Sequence, residues 1–211
     1  MLRPLLMIVL CGLLVAFGWT ASVRAGEFNE VLSVGDKAPA WEKLPATDGK
    51  SYASIDFDDK PIMVVVFTCA SCPTAVDYEG RIDALSRKYG GEQGTAAVVA
   101  ICVNRVPEDQ LPALTERAKE QKFHFTYLHD ESQESAKSYG AIFTPQFFVL
   151  NKERQVVYMG AMDDSTEPDS VKRNYVEEAI AAIQAGKAPE TTETIARGCR
   201  VRYARERRKG S

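Results

Sequence analysis

Between Pro61 and Thr68 the chain reads PIMVVVFT, a nearly unbroken apolar run. A strand with one solvated face alternates apolar and polar residues, so a continuous run of this kind needs cover on both faces. Helices packed on the two sides of a sheet supply that cover, which points to a layered α/β fold. Ala96 to Val103 repeats the pattern. At 211 residues with 45% hydrophobic side chains, the chain can bury one sizeable core and has the length of one domain plus appendages.

Helical signals alternate with these strands. Tyr78, Ile82, Leu85 and Tyr89 form a stripe spaced by four, three and four, which predicts a helix over 73–89 stopped by Gly90 and Gly91. Asp109 is placed to cap a second helix running to about Gln121, with Pro112 in its first turn. Phe123 to Leu128 is a third strand candidate. Asp130 with Gln133 resembles a capping box opening a short helix that ends at Gly140. Gln146 to Leu150 and Gln155 to Tyr158 have hairpin spacing across Asn151 to Arg154. Val171, Tyr175, Val176, Ala179, Ile180 and Ile183 then make a last apolar helical stripe. The expected sheet is parallel in its first part and antiparallel at the terminal hairpin. Ala188 to Ala196 lacks periodicity and is expected to be a loose linker.

Both ends of the chain differ from its body. Arg3, the uncharged run Leu5 to Trp19 and the small residues Val23 and Ala25 ahead of Gly26 have the order of an export signal over 1–25. That run is shorter than the ~20 residues of a spanning helix, so membrane contact is expected only if the signal stays uncleaved. The domain is expected over 26–187, and 188–211 forms the linker and a basic tail carrying Arg200, Arg202, Arg205, Arg207, Arg208 and Lys209. A net charge of −3 offers no general field for nucleic acid. Export places the protein in the periplasm or another extracytoplasmic compartment, where cysteines can be oxidised.

Chemistry concentrates at Cys69-Ala70-Ser71-Cys72-Pro73, between the first buried strand and the first helix. A thiol at a helix N-terminus feels unpaired N–H groups and the positive end of the macrodipole, which favour thiolate. The expected roles are Cys69 as the exposed attacking thiolate and Cys72 as the resolving thiol within the first turn. A metal is not expected, because His124 and His129 lie roughly fifty residues away without a second cysteine pair. Asp77 and Glu79 follow on the same helix, where they could relay a proton, although Asp77 with Arg81 reads more simply as an i,i+4 surface pair. Cys102 reads as a small core residue. Cys199 reads either as a third redox thiol or as a partner for Cys102.

Several motifs in order resemble a known family: Val34-Gly35-Asp36-Lys37-Ala38-Pro39, the Asp48-Gly49-Lys50 turn, the strand into Cys69-x-x-Cys72-Pro73, and Thr144-Pro145 before Phe147-Phe148-Val149-Leu150. The chain looks like a thioredoxin-like redoxin, the broad group of alkyl hydroperoxide reductase, thiol-specific antioxidant and exported thioredoxin proteins. Tyr78-Glu79, Asp163-Asp164 and Gly198-Cys199 add similarity to a subgroup of thioredoxin family proteins. The resemblance implies a thioredoxin-like three-layer sandwich with a cis Thr144-Pro145 loop facing the cysteines. There the backbone of Thr144 would pair with a peptide or thiol substrate. It also implies catalysis by Cys69 and Cys72 without a cofactor, on protein or small-molecule thiols and disulfides, with an electron-donating redox partner.

The expected activity is thiol-disulfide oxidoreduction. The alternatives are a thiol peroxidase of the same superfamily and a copper-binding chaperone-like module. Copper chaperones of this fold space their cysteines by three residues, and here the gap is two. The resemblance implies that a peroxidatic cysteine of this superfamily would have Thr or Ser three residues before it and Pro seven before it. Cys69 has Val66 and Ile62 there, and Cys72 has Cys69 and Val65.

Overall fold

The computed structural model describes residues 26–204. The expected signal over 1–25 and the distal part of the basic tail lie outside the described residues. A small antiparallel pair, β1 (Leu44–Pro45) and β2 (Ser51–Tyr52), precedes the main sheet. That sheet contains β3 (Ile62–Phe67), β4 (Ala96–Cys102), β5 (Thr126–His129), β7 (Gln146–Leu150) and β8 (Val156–Gly160), in the order β5-β4-β3-β7-β8. β3 is parallel to β4, β4 is parallel to β5, and the β7–β8 hairpin is antiparallel. A two-residue strand, β6 (Phe143–Thr144), lies between β5 and β7 in sequence and pairs with β9 (Cys199–Arg200).

Every residue of β3 is buried, as the apolar run requires. Ile62, Val64 and Val66 face the layer formed by α1 (Pro73–Tyr89), α2 (Leu111–Gln121) and α4 (Tyr175–Gln184), packing with Ile82, Leu85, Leu114 and Ile180. Met63, Val65 and Phe67 face the opposite layer, with Trp41 and with Tyr139 of α3 (Glu134–Tyr139). There Phe67, Tyr139 and Phe148 meet edge to face at centroid distances of 5.1–5.9 Å. At about 1.5–3 kcal/mol per fully buried side chain, the two faces of β3 anchor both cores.

Some local expectations change. α4 begins at Tyr175, because the Asn174 side chain accepts from Glu177 N–H at 3.1 Å and Val171 is the extended residue that caps a preceding 3-10 turn, Pro168–Ser170. The third strand starts at Thr126. Gln133, not Asp130, is the N-cap of α3, while the Asp130 carboxylate accepts from the N–H groups of Ser132, Gln133 and Ser135. The segment read as a loose linker is ordered. Met159 N–H donates to Thr192 O and Thr194 N–H to Met159 O, so 192–194 extends the sheet beyond β8 by backbone bonds. Gly160 permits this approach: a Cβ there would lie 2.3 Å from Thr194 O.

Candidate active site

β3 delivers the chain into a loop over 68–72 that ends where α1 begins. Pro73 occupies the first helical position, and the residue before a proline is driven out of the helical region. Cys72 accordingly has φ −104° and ψ 116° and is the N-cap itself. Its Sγ accepts from Ala75 N–H at 3.4 Å and from Cys199 N–H at 3.4 Å, and lies 3.3 Å from Thr144 O. This corrects the expected electrostatics: the thiol that receives the helix terminus is Cys72, and Cys69 sits earlier in the same loop.

The two thiols are therefore pushed apart. Burial opposes ionisation of Cys72, but the Cys199 side chain, the N–H groups of Ala75 and Cys199, and Thr144 outweigh it and bring Cys72 below the ordinary thiol value. Burial pushes Cys69 up, and the Asp109 carboxylate adds to this against the lowering contacts of Thr144 and Ser71. Cys69, expected to be exposed, is buried, as is Cys72. The Cys69 thiol donates to Thr144 Oγ1 at 3.4 Å. Thr144 thus touches both sulfurs, and its bond to Pro145 is cis.

Asp109 does not cap α2, whose N-cap is Gln110. It is 0% exposed and turned under the cysteine loop. Its Oδ1 accepts from Ala70 N–H at 2.7 Å and Ser71 N–H at 2.9 Å; its Oδ2 accepts from Ser71 Oγ at 2.5 Å and Asn104 Nδ2 at 3.0 Å. The carboxylate holds the two residues between the cysteines by their backbone, a role invisible in a residue that local pattern assigns to a helix start.

The expected Asp77–Arg81 pair is replaced by a longer-range one. Arg81 reaches Asp163 at 2.7 Å, Tyr78 donates to the same carboxylate at 2.9 Å, and Asp163 is buried. Buried Asp163 offers Arg81 a drier and better-coordinated partner than a surface aspartate. Glu79 accepts two bonds from Arg117 at 2.6 Å each, which ties α1 to α2. Cys102 is buried in β4 with its thiol directed to Asp109 O, and burial pushes it well above the ordinary thiol value. Cys199 lies at Cys72, not at Cys102, through the β6–β9 pairing that matches Thr144 with Cys199. Gly198 allows the contact, since a Cβ there would lie 1.9 Å from Thr144 O.

With this geometry in place, comparison with known proteins identifies the family. Residues 33–179 match the family model of the redoxins. The chain belongs to the redoxin family. Among solved structures, a hypothetical protein of Sinorhizobium meliloti 1021 shares 32% identity at a TM-score of 0.74, covering 82% of this chain and 96% of that one. The redoxin also shares its fold with peroxidoxin BcpB of Mycobacterium tuberculosis, at 17% identity and a TM-score of 0.55 over 72% and 96% of the two chains. A thiol:disulfide interchange protein of the thioredoxin family from Chlorobium tepidum TLS matches at 19% identity and a TM-score of 0.53, over 64% and 91%. No curated protein matches the sequence significantly.

Proposed function

We propose that this redoxin is an exported thiol-disulfide oxidoreductase working through Cys69 and Cys72, with Cys72 as attacking thiolate and Cys69 as a resolving thiol. The observation that carries this reading is Cys72 Sγ at the N-cap of α1, 3.3 Å from the carbonyl that precedes the cis-proline. Two N–H groups aimed at that sulfur stabilise its negative charge before attack and again when it leaves.

In the proposed cycle the Cys72 thiolate attacks one sulfur of a protein or small-molecule disulfide. A Cys72 mixed disulfide forms and the second substrate sulfur departs as thiolate. Cys69, after giving up its proton, attacks Cys72 Sγ and closes the Cys69–Cys72 disulfide, releasing the first substrate sulfur. Two electrons have passed to the substrate, and a dithiol partner returns them. Thr144 Oγ1, which accepts the Cys69 S–H, orients that thiol for its step. Export is supported by Arg3, the apolar run and the Val23-Arg24-Ala25 boundary, and it would place the dithiol where substrates are oxidised.

Insulin reduction driven by dithiothreitol, run beside stopped-flow oxidation by hydrogen peroxide, tests the reading. Insulin reduction is expected, with loss on Cys72→Ser and peroxide consumption no faster than a generic low-pKa thiol. Rapid peroxide consumption without insulin reduction, or a Cys72→Ser variant of full activity, overturns it.

A further inference from the structure

The Cys69–Cys72 pair leaves one thiol of the site without a role. Cys199 is the exposed member of the cluster, and it is held there by backbone rather than by chance of packing. β9 pairs antiparallel with β6, Thr144 opposite Cys199 and Phe143 opposite Arg200. Cys199 N–H donates to Cys72 Sγ at 3.4 Å, Thr144 Oγ1 lies 3.4 Å from Cys199 O, and Gly198 passes Thr144 O at a distance no side chain tolerates. β9 therefore occupies the edge of Thr144, the edge on which the family resemblance would seat a substrate backbone.

We propose that Cys199 is a second resolving thiol, forming a redox-active disulfide with Cys72 that competes with Cys69–Cys72 and closes β9 over the substrate edge. The proposal rests on Cys72 being the attacking thiolate of the function proposed above. In the reduced protein the neighbouring Cys72 side chain, together with burial and the charge of the other sulfurs, pushes the Cys199 thiol up to about 11. Of the two, Cys72 therefore ionises first and Cys199 keeps its proton longer. Once Cys72 is in a mixed disulfide its charge is gone, and with it the main cause that holds the Cys199 proton.

The step then balances simply. Cys199 loses its proton to the departed substrate thiolate or to water. Its sulfur attacks Cys72 Sγ, the Cys72–Cys199 bond forms, the bond from Cys72 to substrate breaks, and the substrate sulfur leaves as thiolate. The substrate has gained two electrons and the protein has lost two. A dithiol reductant reverses the change, or Cys69 attacks Cys72 and returns Cys199 to the thiol, moving the disulfide inward. Gly198 and Thr144 are the positioning residues of this step.

Trypsin cuts after Arg197 and Arg200 and so releases Cys199 in the tripeptide Gly198–Arg200. The reduced protein is oxidised with diamide, free thiols are blocked with iodoacetamide, and digests are mapped by mass without reduction. The tripeptide is expected linked to the Cys72 peptide in Cys69→Ser and unlinked in Cys72→Ser. In the Cys69→Ser background, where Cys199 is the remaining resolving thiol, adding Cys199→Ala is expected to slow release of a Cys72–glutathione mixed disulfide about tenfold or more, because an intramolecular thiol of high effective concentration is lost. Cys199 fully alkylated after oxidation of Cys69→Ser overturns the proposal, as does release from Cys69→Ser left unchanged by adding Cys199→Ala. Either result beside normal insulin reduction leaves the proposed function standing. A linked tripeptide without insulin reduction removes the function and keeps the disulfide.

Discussion

Replacing Asp109 with alanine withdraws the acceptor beneath the cysteine loop. Four donors lose their partner: the N–H groups of Ala70 and Ser71, the Ser71 hydroxyl and the Asn104 amide. Ser71 is half-buried, so its hydroxyl can turn to water, whereas the other three donors point at a site that is 0% exposed. An unpaired buried donor costs about 1–3 kcal/mol, and water entering the vacated volume recovers part of it, so the expected loss is about 3–5 kcal/mol. With a urea slope of about 2–3 kcal/mol/M, the unfolding midpoint of the reduced protein should fall by about 1–2 M. Asp109→Asn keeps one accepting oxygen and should lose about half as much. It also removes the charge that helps push Cys69 up, so Cys69 should titrate lower in this variant. Urea unfolding followed by far-ultraviolet circular dichroism measures the first effect, and thiolate absorbance measures the second. A midpoint for Asp109→Ala within about 0.3 M of the parent, or a Cys69 that titrates higher in Asp109→Asn, refutes the reasoning.

Gly198→Ala builds a Cβ 1.9 Å from Thr144 O. It should part β9 from β6 at a cost of about 1–3 kcal/mol, read as faster tryptic cleavage at Arg197 and Arg200 in the native protein. Asp163→Ala removes the buried carboxylate shared by Arg81 and Tyr78 and leaves them the carbonyls of Ser165 and Thr166, so it should cost about 1–3 kcal/mol in urea unfolding; no measurable loss refutes a stabilising role for the carboxylate. In the reduced protein one thiolate should appear below the ordinary thiol value, vanish in Cys72→Ser and move upward in Cys199→Ala, which deletes a donor to Cys72. Cys102, held well above that value by burial, should stay unalkylated by iodoacetamide until the protein unfolds.

The sheet was legible because its determinants are local and redundant. Pro61 to Thr68 and Ala96 to Val103 announce doubly covered strands by composition, and Gly90 and Gly140 mark helix ends whatever the tertiary context. The turn from β7 to β8 was equally readable from its spacing. Asp109 was not, because its partners at Ala70, Ser71 and Asn104 are supplied by the fold, and an aspartate ahead of a helical pattern carries a ready local explanation. The 188–204 segment failed for a related reason. It is held through backbone bonds to Met159, Phe143 and Thr144, which demand no side-chain periodicity and leave none to read.

The cysteine pair itself shows where spacing stops carrying information. A pair separated by two residues fits either arrangement, the first thiol at the helix terminus or the second, and the two give opposite chemistry. The deciding residue is Pro73. It cannot donate an N–H, so it belongs in the first turn, and it forces the residue before it into extended backbone. Cys72 must then be the N-cap, with Cys69 left in the loop below Thr144. Alignment of the helix terminus with Cys72 also decides which sulfur β9 meets, since β9 begins at Cys199. Cys72 Sγ at the N-cap accepts from Ala75 N–H on the helix side and from Cys199 N–H on the strand side, so the two elements meet at one sulfur.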